Sequence, residues 1–215
     1  MNSQSKLDSI TQAKELLLIG PCPFKADHLY QDALTREVPI IAVDKGLEHC
    51  PLAPVIYAIG DGDSSKLPMD HKLPCEKNQS DLNAALNLIS KNTKHISLHG
   101  FLGLRRDHEW INLGEIYHFI KNSKCIAKID QNCLIIPKGR TRLEIQGTFS
   151  LMSLYQTQLK IVGQCKYQLK DFTELSPLSS HGLSNEGSGM VEIESKEALI
   201  LYFQEEVLKF PQCDL

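Results

Sequence analysis

Three apolar runs in the first half of this chain lead into aspartate, and that recurrence is where chemistry could begin. Val38–Asp44 (VPIIAVD) ends in Asp44, and Pro54–Asp61 (PVIYAIGD) opens Gly60-Asp61-Gly62-Asp63-Ser64. His95–Phe101 (HISLHGF) leads through Gly103-Leu104-Arg105-Arg106 to Asp107-His108. A fourth carboxylate, Asp81, closes Asn78-Gln79-Ser80-Asp81 where a helical period begins. Carboxylates gathered in one place repel each other unless a cation sits among them or their pKa values rise. An oxygen-only ligand set suits Mg²⁺, which takes one or two carboxylates together with substrate phosphates. The Gly60–Ser64 turn adds backbone N–H groups and small residues that let a phosphate approach. Arg105 and Arg106 could grip its oxygens through guanidinium forks. Each motif alone has an ordinary use: Asp-Gly as a turn, Asp81 as a helix start favoured by the dipole, Asp107 as an N-cap. Their convergence on one sheet edge is what favours chemistry.

That convergence requires a parallel sheet. Glu15–Gly20, Val38–Asp44, Pro54–Asp61 and His95–Phe101 are apolar on both faces and bounded by Gly and Asp, as buried parallel strands are. Between them, Leu82, Ala85, Leu86 and Ile89 form a helical stripe with Ser80 as its cap. Trp110, Leu113, Tyr117 and Ile120 form another, expected to bury Trp110 and Tyr117. Strand–helix alternation predicts an open, mostly parallel, Rossmann-like α/β sheet flanked by helices over residues 1–124. In such a sheet ligands bind beyond the carboxyl ends of the strands. From 125 to 215 the pattern changes to short β-type runs, with turn signals at Lys-Gly, Gln-Gly, Val-Gly-Gln and Gly-Ser-Gly. These predict an antiparallel β-sandwich domain.

Composition narrows the function. The chain has 215 residues, 42% of them hydrophobic and 23% charged, with a net charge of −3. It is sized for one large or two small globular domains, and disorder and coiled coil are excluded. No basic excess points to nucleic acid or an anionic membrane. The seven cysteines are odd in number with no C-x-x-C spacing, which argues for buried thiols in a reducing compartment rather than a zinc or thioredoxin-type site. The first residues lack an apolar leader, and the longest apolar runs are too short to span a bilayer, so a soluble cytoplasmic protein is expected. The eight histidines form no ligand pattern.

The order of these motifs resembles that of the thiamin pyrophosphokinase (thiamine diphosphokinase) family along nearly the whole chain. That family has an Asp-Gly-Gly-like turn, then Gly-Asp-x-Asp-Ser, then a Gln/Asp-x-Thr-Asp helix start. A Gly-Gly-Arg-x-Asp-His segment follows with Asn four residues later, and the β-domain carries Gly-Leu-Lys-Trp-x-Leu and Ser-Asn signatures. The corresponding residues are Asp44-Lys45-Gly46, Gly60-Asp61-Gly62-Asp63-Ser64, Gln79-Ser80-Asp81, and Gly103-Leu104-Arg105-Arg106-Asp107-His108 with Asn112. Late in the chain they are Lys166-Tyr167-Gln168-Leu169 and Leu183-Ser184-Asn185-Glu186.

The resemblance implies an ATP- and Mg²⁺-binding α/β domain joined to a β-domain, in a homodimer whose active sites lie at the subunit interface. The implied reaction moves a pyrophosphoryl group from ATP to the thiamin hydroxyl, releasing AMP. On this reading Asp61, Asp63 and Asp81 hold Mg²⁺, Arg105 offsets charge on the transferring group, and Asp107 orients the substrate or the helix start. Asp44, Gly46, Gly60, Ser64, Gln79, His108 and Asn112 surround the nucleotide, and Tyr167, Ser184 and Asn185 meet thiamin. Lys45, Leu104, Tyr167 and Ser153 depart from the usual Gly, Gly, Trp and Pro. These departures leave two alternatives: a pyrophosphokinase for another primary alcohol, such as a hydroxymethyl-pterin, or a catalytically silent nucleotide- or thiamin-binding homologue.

Overall fold

In the computed structural model, which describes residues 1–63 and 65–214, the four apolar runs become neighbouring strands. The first compact unit, Met1–Ile116, contains α1 (Ser3–Gln12), β1 (Glu15–Ile19), α2 (His28–Thr35), β2 (Ile40–Val43) and β3 (Ile56–Gly60). These are followed by the two-residue β4 (His71–Lys72), α3 (Asp81–Leu86), β5 (His95–His99) and the start of α4 (Arg106–Lys121). The strand order is β5-β1-β2-β3-β4, and all four pairings are parallel. Leu16, Leu17, Leu18 and Ile19 are all fully buried, so both faces of β1 are covered and continuous hydrophobicity is required. Leu17, Ile19 and Ile40 pack on one face with Tyr30 and Ala33 of α2. Burying each such aliphatic side chain contributes about 1.5–3 kcal/mol.

Helices α1 and α2 carry no sequence stripe strong enough to have been singled out, and their caps account for them. The Asn2 side chain accepts from Ser5 N–H at 2.8 Å, and Asp27 accepts from Tyr30 N–H at 2.8 Å. His99, fully buried at the end of β5, packs edge-on against Tyr30 at 5.0 Å between ring centroids, with Phe24 at 5.3 Å.

The second unit begins at Tyr117, somewhat earlier than a boundary near 124. Tyr117 supplies the reason: its buried hydroxyl lies 2.9 Å from Ser153 Oγ and donates to the Ala198 carbonyl at 2.7 Å. The last turn of α4 is therefore anchored to the β-rich unit, and the Ser153 hydroxyl has a defined partner. Trp110, expected in the core, is 61% exposed. It shares a helical face with Tyr117, but burial on α4 starts only at Ile116.

This unit contains β6 (Ile126–Ile129), β7 (Cys133–Ile136), β8 (Gly139–Met152), β9 (Thr157–Cys165) and β10 (Leu169–Leu175). The chain continues through β11 (Asn185–Ser195), β12 (Leu199–Phe203) and β13 (Gln212–Asp214). They are antiparallel, as expected, in the order β10-β9-β11-β8-β12-β7-β6 with β13 on β8. Hydrogen bonds join them as one continuous sheet rather than two separate ones, because β8 pairs with both β11 and β12. Three glycine signals read as turns lie inside strands instead. Gln146-Gly147 is within β8, Gly163-Gln164 within β9 and Gly187-Ser188-Gly189 within β11. The register between β9 and β11 shifts between Gly187 and Val191, and glycine inside a strand often marks such an irregularity.

No disulfide joins any of the seven cysteines, all of them described. Cys125 and Cys133 are buried, while Cys75 is exposed, against the expectation that the thiols are core. Burial pushes the Cys133 thiol up to about 12, which leaves it inert as a nucleophile. No described helix is long and apolar enough to cross a membrane.

One carboxylate fastens α1 to the sheet. Asp70 accepts from Ser3 Oγ at 2.6 Å, from Lys6 Nζ at 2.9 Å and from the Ala58 N–H at 3.0 Å. Burial opposes its charge, but the Lys6, Ser3 and Ala58 hydrogen bonds outweigh that and hold the carboxyl below its ordinary value. A lowered carboxyl pKa contributes stability that is complete above the unfolded value of about 3.9 and is lost as pH falls through the folded value. Asp70→Ala should therefore cost about 1–3 kcal/mol in urea unfolding at pH 7. The difference from wild type should shrink as the pH is taken below 4.

Candidate active site

The register of β2 and β3 builds the site. Val43 pairs with Ile59, so the residues that follow, Asp44 and Gly60, come side by side at the carboxyl edge. A Cβ on Gly60 would lie 2.9 Å from Asp44 Cα and 3.2 Å from Asp44 Cβ; glycine is what lets Asp44 reach this edge. Asp44 itself has φ 52°, a left-handed conformation that aspartate tolerates better than most residues. It opens a 3₁₀ turn, Asp44–His49, in which a Cβ on Gly46 would collide with the Ile19 carbonyl. After β3, Asp61 Oδ1 accepts from the Asp63 N–H at 3.2 Å, which turns the chain back on itself. The outcome is that one carboxylate oxygen from each of Asp44, Asp61 and Asp63 lies within 4.8 Å of the others. Asp44 and Asp61 are half-buried and Asp63 is exposed. Ser64, expected beside the phosphates, lies outside the described residues.

Asp81 approaches from the first turn of α3, joined to this cluster by a residue the sequence reading did not select. Lys77 Nζ is 2.7 Å from Asp61 Oδ2 and 3.3 Å from Asp81 Oδ1. Apart from that long approach, Asp81 Oδ1 is buried without a hydrogen bond. The Lys77 hydrogen bond holds the Asp61 carboxyl below its ordinary value against the effect of burial. Burial raises Asp81, and the charges of Asp61 and Asp44 add to that against the pull of Lys77. Desolvation works against the Lys77 ammonium, but its bonds to Asp61 and Asp81 raise it above the ordinary lysine value. The position of Asp81 depends on the start of α3. Ser80 Oγ caps the helix by accepting from Asn83 N–H at 2.9 Å and donates to Glu115 Oε2 at 2.5 Å. Lys77 lies on irregular chain before α3, so no helical spacing in the sequence points to it.

These donors fit a hard cation. They are carboxylate oxygens only, converging at ligand spacing, with a buried and under-satisfied Asp81 oxygen nearby, and that set selects Mg²⁺-like ions over softer metals.

The remaining expected residues divide into two groups. Arg105 is exposed and donates to Asp107 from Nε at 3.2 Å and Nη2 at 2.5 Å, which takes the Asp107 carboxyl down to about 2. The loop before it is pinned by Glu109 Oε1, which accepts from the Gly103 N–H at 2.6 Å. Gln79 and His108 are exposed. Asn112 donates to the Phe101 carbonyl at 2.7 Å, and so shapes the loop after β5.

In the second unit, Tyr167 is 57% exposed at the rim of a cavity of about 280 Å³ lined by Leu159, Ile161, Leu169, Leu175 and Asn185. Asn185 is buried, and its amide is committed to the chain. Its Oδ1 accepts from Tyr167 N–H at 3.0 Å and Glu186 N–H at 2.8 Å, and its Nδ2 donates to the Tyr167 carbonyl at 2.8 Å. Asn185 thus sets the tyrosine backbone. Ser184 has φ 57° and donates its N–H to Ser150 Oγ at 3.1 Å.

No family model and no curated protein sequence matches this chain. Solved structures do. Thiamine pyrophosphokinase from Bacillus subtilis superposes with a TM-score of 0.68 at 22% identity, covering 90% of this chain and 100% of its own. Thiamin pyrophosphokinase from Geobacillus thermodenitrificans gives 0.67 at 20%, covering 91% and 100%. Thiamin pyrophosphokinase from Candida albicans gives 0.66 at 12%, covering 100% and 92%. The chain therefore has the fold of these proteins, as the order of its motifs implied.

Gly60→Ala tests the geometry of the cluster. The added methyl should push Asp44 from the edge and weaken Mn²⁺ binding at least tenfold in a calorimetric titration, while overpacking costs about 1–3 kcal/mol of stability. Unchanged Mn²⁺ affinity would remove Asp44 from the ligand set.

Proposed function

We propose that the protein is a thiamine diphosphokinase, transferring pyrophosphate from ATP to the hydroxyl of thiamin with release of AMP. The observation that carries this reading is the meeting of Asp44, Asp61 and Asp63 within 4.8 Å at the strand ends of a fold shared with thiamin pyrophosphokinases. In-line attack of an alcohol on the β-phosphorus asks for positioning and charge neutralisation more than covalent chemistry. Asp61 and Asp63, with Asp44 or Asp81 completing the set, would hold Mg²⁺. When bound, the ion supplies charge neutralisation on the phosphate oxygens. Asp81, whose carboxyl burial raises, would accept the hydroxyl proton, with Asp44 then completing the ligand set. Arg105 exchanges Asp107 for phosphate oxygens, while Asp107 and Asn112 keep the loop in place. Tyr167 offers its ring to the cationic thiazolium beside an apolar cavity, oriented through Asn185. The working assembly is a homodimer.

The assay follows AMP formation from ATP, Mg²⁺ and thiamin, with a hydroxymethyl-pterin as the competing acceptor. Thiamin-dependent AMP is the expected result. Asp61→Asn and Asp63→Asn should each lower kcat by about 10²–10³ or more, on the scale of losing one charge-stabilising contact, with native circular dichroism. Tyr167→Ala should act mainly on the thiamin KM. AMP formed only with the pterin would reassign the acceptor. A ligand-induced rise in Tm without any AMP would leave a silent binding protein.

A further inference from the structure

The function so far uses carboxylates, an arginine and a ring, and leaves Lys77 without a task. Its side chain is 13% exposed, against 11% for Asp61 and 22% for Asp81. It therefore occupies the pocket rather than its rim. Lys77 precedes α3 on a non-helical segment, and lysine is a compact charge on a flexible four-carbon stem that can change partners. Asp61 is the point of conflict. One of its oxygens holds Lys77 and the other accepts from the Asp63 N–H, while the same carboxylate belongs to the cluster with Asp44 and Asp63. A divalent ion in that cluster would meet the lysine charge across a single carboxylate.

We propose that Lys77 is a resident counter-cation: it holds Asp61 and Asp81 together while the pocket lacks a divalent ion and gives up Asp61 when one binds. The inference rests on the divalent-ion reading of the cluster. Its physical basis is that four neighbouring carboxylates, three of them half-buried, repel one another, and one ammonium between two of them offsets the repulsion. The same ammonium must then repel an incoming dication. Lys77 so acts as a positioning residue, keeping the empty site assembled at the expense of metal affinity.

The test compares full-length wild type with Lys77→Gln and Lys77→Arg, with Asp61→Asn as the site control, using Mn²⁺ alone as the probe. In EDTA, Lys77→Gln should melt about 2–4 °C below wild type. In a Mn²⁺ titration it should bind roughly three- to tenfold more tightly, so that the difference in Tm closes at saturation. Lys77→Arg, which keeps the charge, should stay near wild type on both measures, and Asp61→Asn should lose Mn²⁺ binding. A Lys77→Gln protein that binds Mn²⁺ no better than wild type and melts lower in EDTA and Mn²⁺ alike would make Lys77 a structural strut and overturn the proposal alone. Absence of Mn²⁺ binding in both wild type and Lys77→Gln would overturn the metal reading as well. Wild type gives an independent readout by NMR. The Lys77 ammonium protons should be protected from solvent exchange in EDTA and lose that protection with Mg²⁺; equal protection in both overturns the proposal.

Discussion

Repulsion among carboxylates is the constraint around which the first unit is organised. Parallel pairing of β2 with β3 delivers Asp44 beside Gly60, and the turn after β3 folds Asp63 back onto Asp61. Those steps place like charges together in a partly desolvated pocket. Such an arrangement persists only where cations or raised pKa values compensate, and both occur: Lys77 between Asp61 and Asp81, and a raised carboxyl on Asp81. The strain of the Asp44 backbone, at φ 52°, is a further cost that a site with no use for the cluster would have little reason to carry.

Much of this was readable in the residues. Runs apolar on both faces had to be interior parallel strands, and aspartates at their ends had to share an edge once the strands were parallel. Asp44, Asp61 and Asp63 meet at that edge, whereas Asp81 comes from the first turn of α3. What register decides was less accessible. The resemblance sets Asp44 beside the nucleotide, whereas its distance to Asp61 depends on Val43 pairing with Ile59 and on the missing side chain at Gly60. Lys77 lies in an irregular segment, where no periodicity says which way a side chain points.

Context also overrode several local signals. Glycine pairs that read as turns in the β-rich unit lie within long strands, so β8 runs straight through Gly147. Trp110 satisfies a helical stripe and still faces solvent. Asn185 looked like a polar contact for a substrate. Instead its amide closes on the backbone of Tyr167, which makes it the support of an aromatic platform.

On this proposal a divalent ion is what the assembled carboxylates accept. A crystal grown with Mn²⁺ and measured at the manganese edge addresses that directly. One strong anomalous peak is expected at bonding distance from carboxylate oxygens of Asp61 and Asp63, with Asp44 or Asp81 completing the protein ligands. Manganese bound elsewhere, or no peak among these side chains at saturating Mn²⁺, would contradict it.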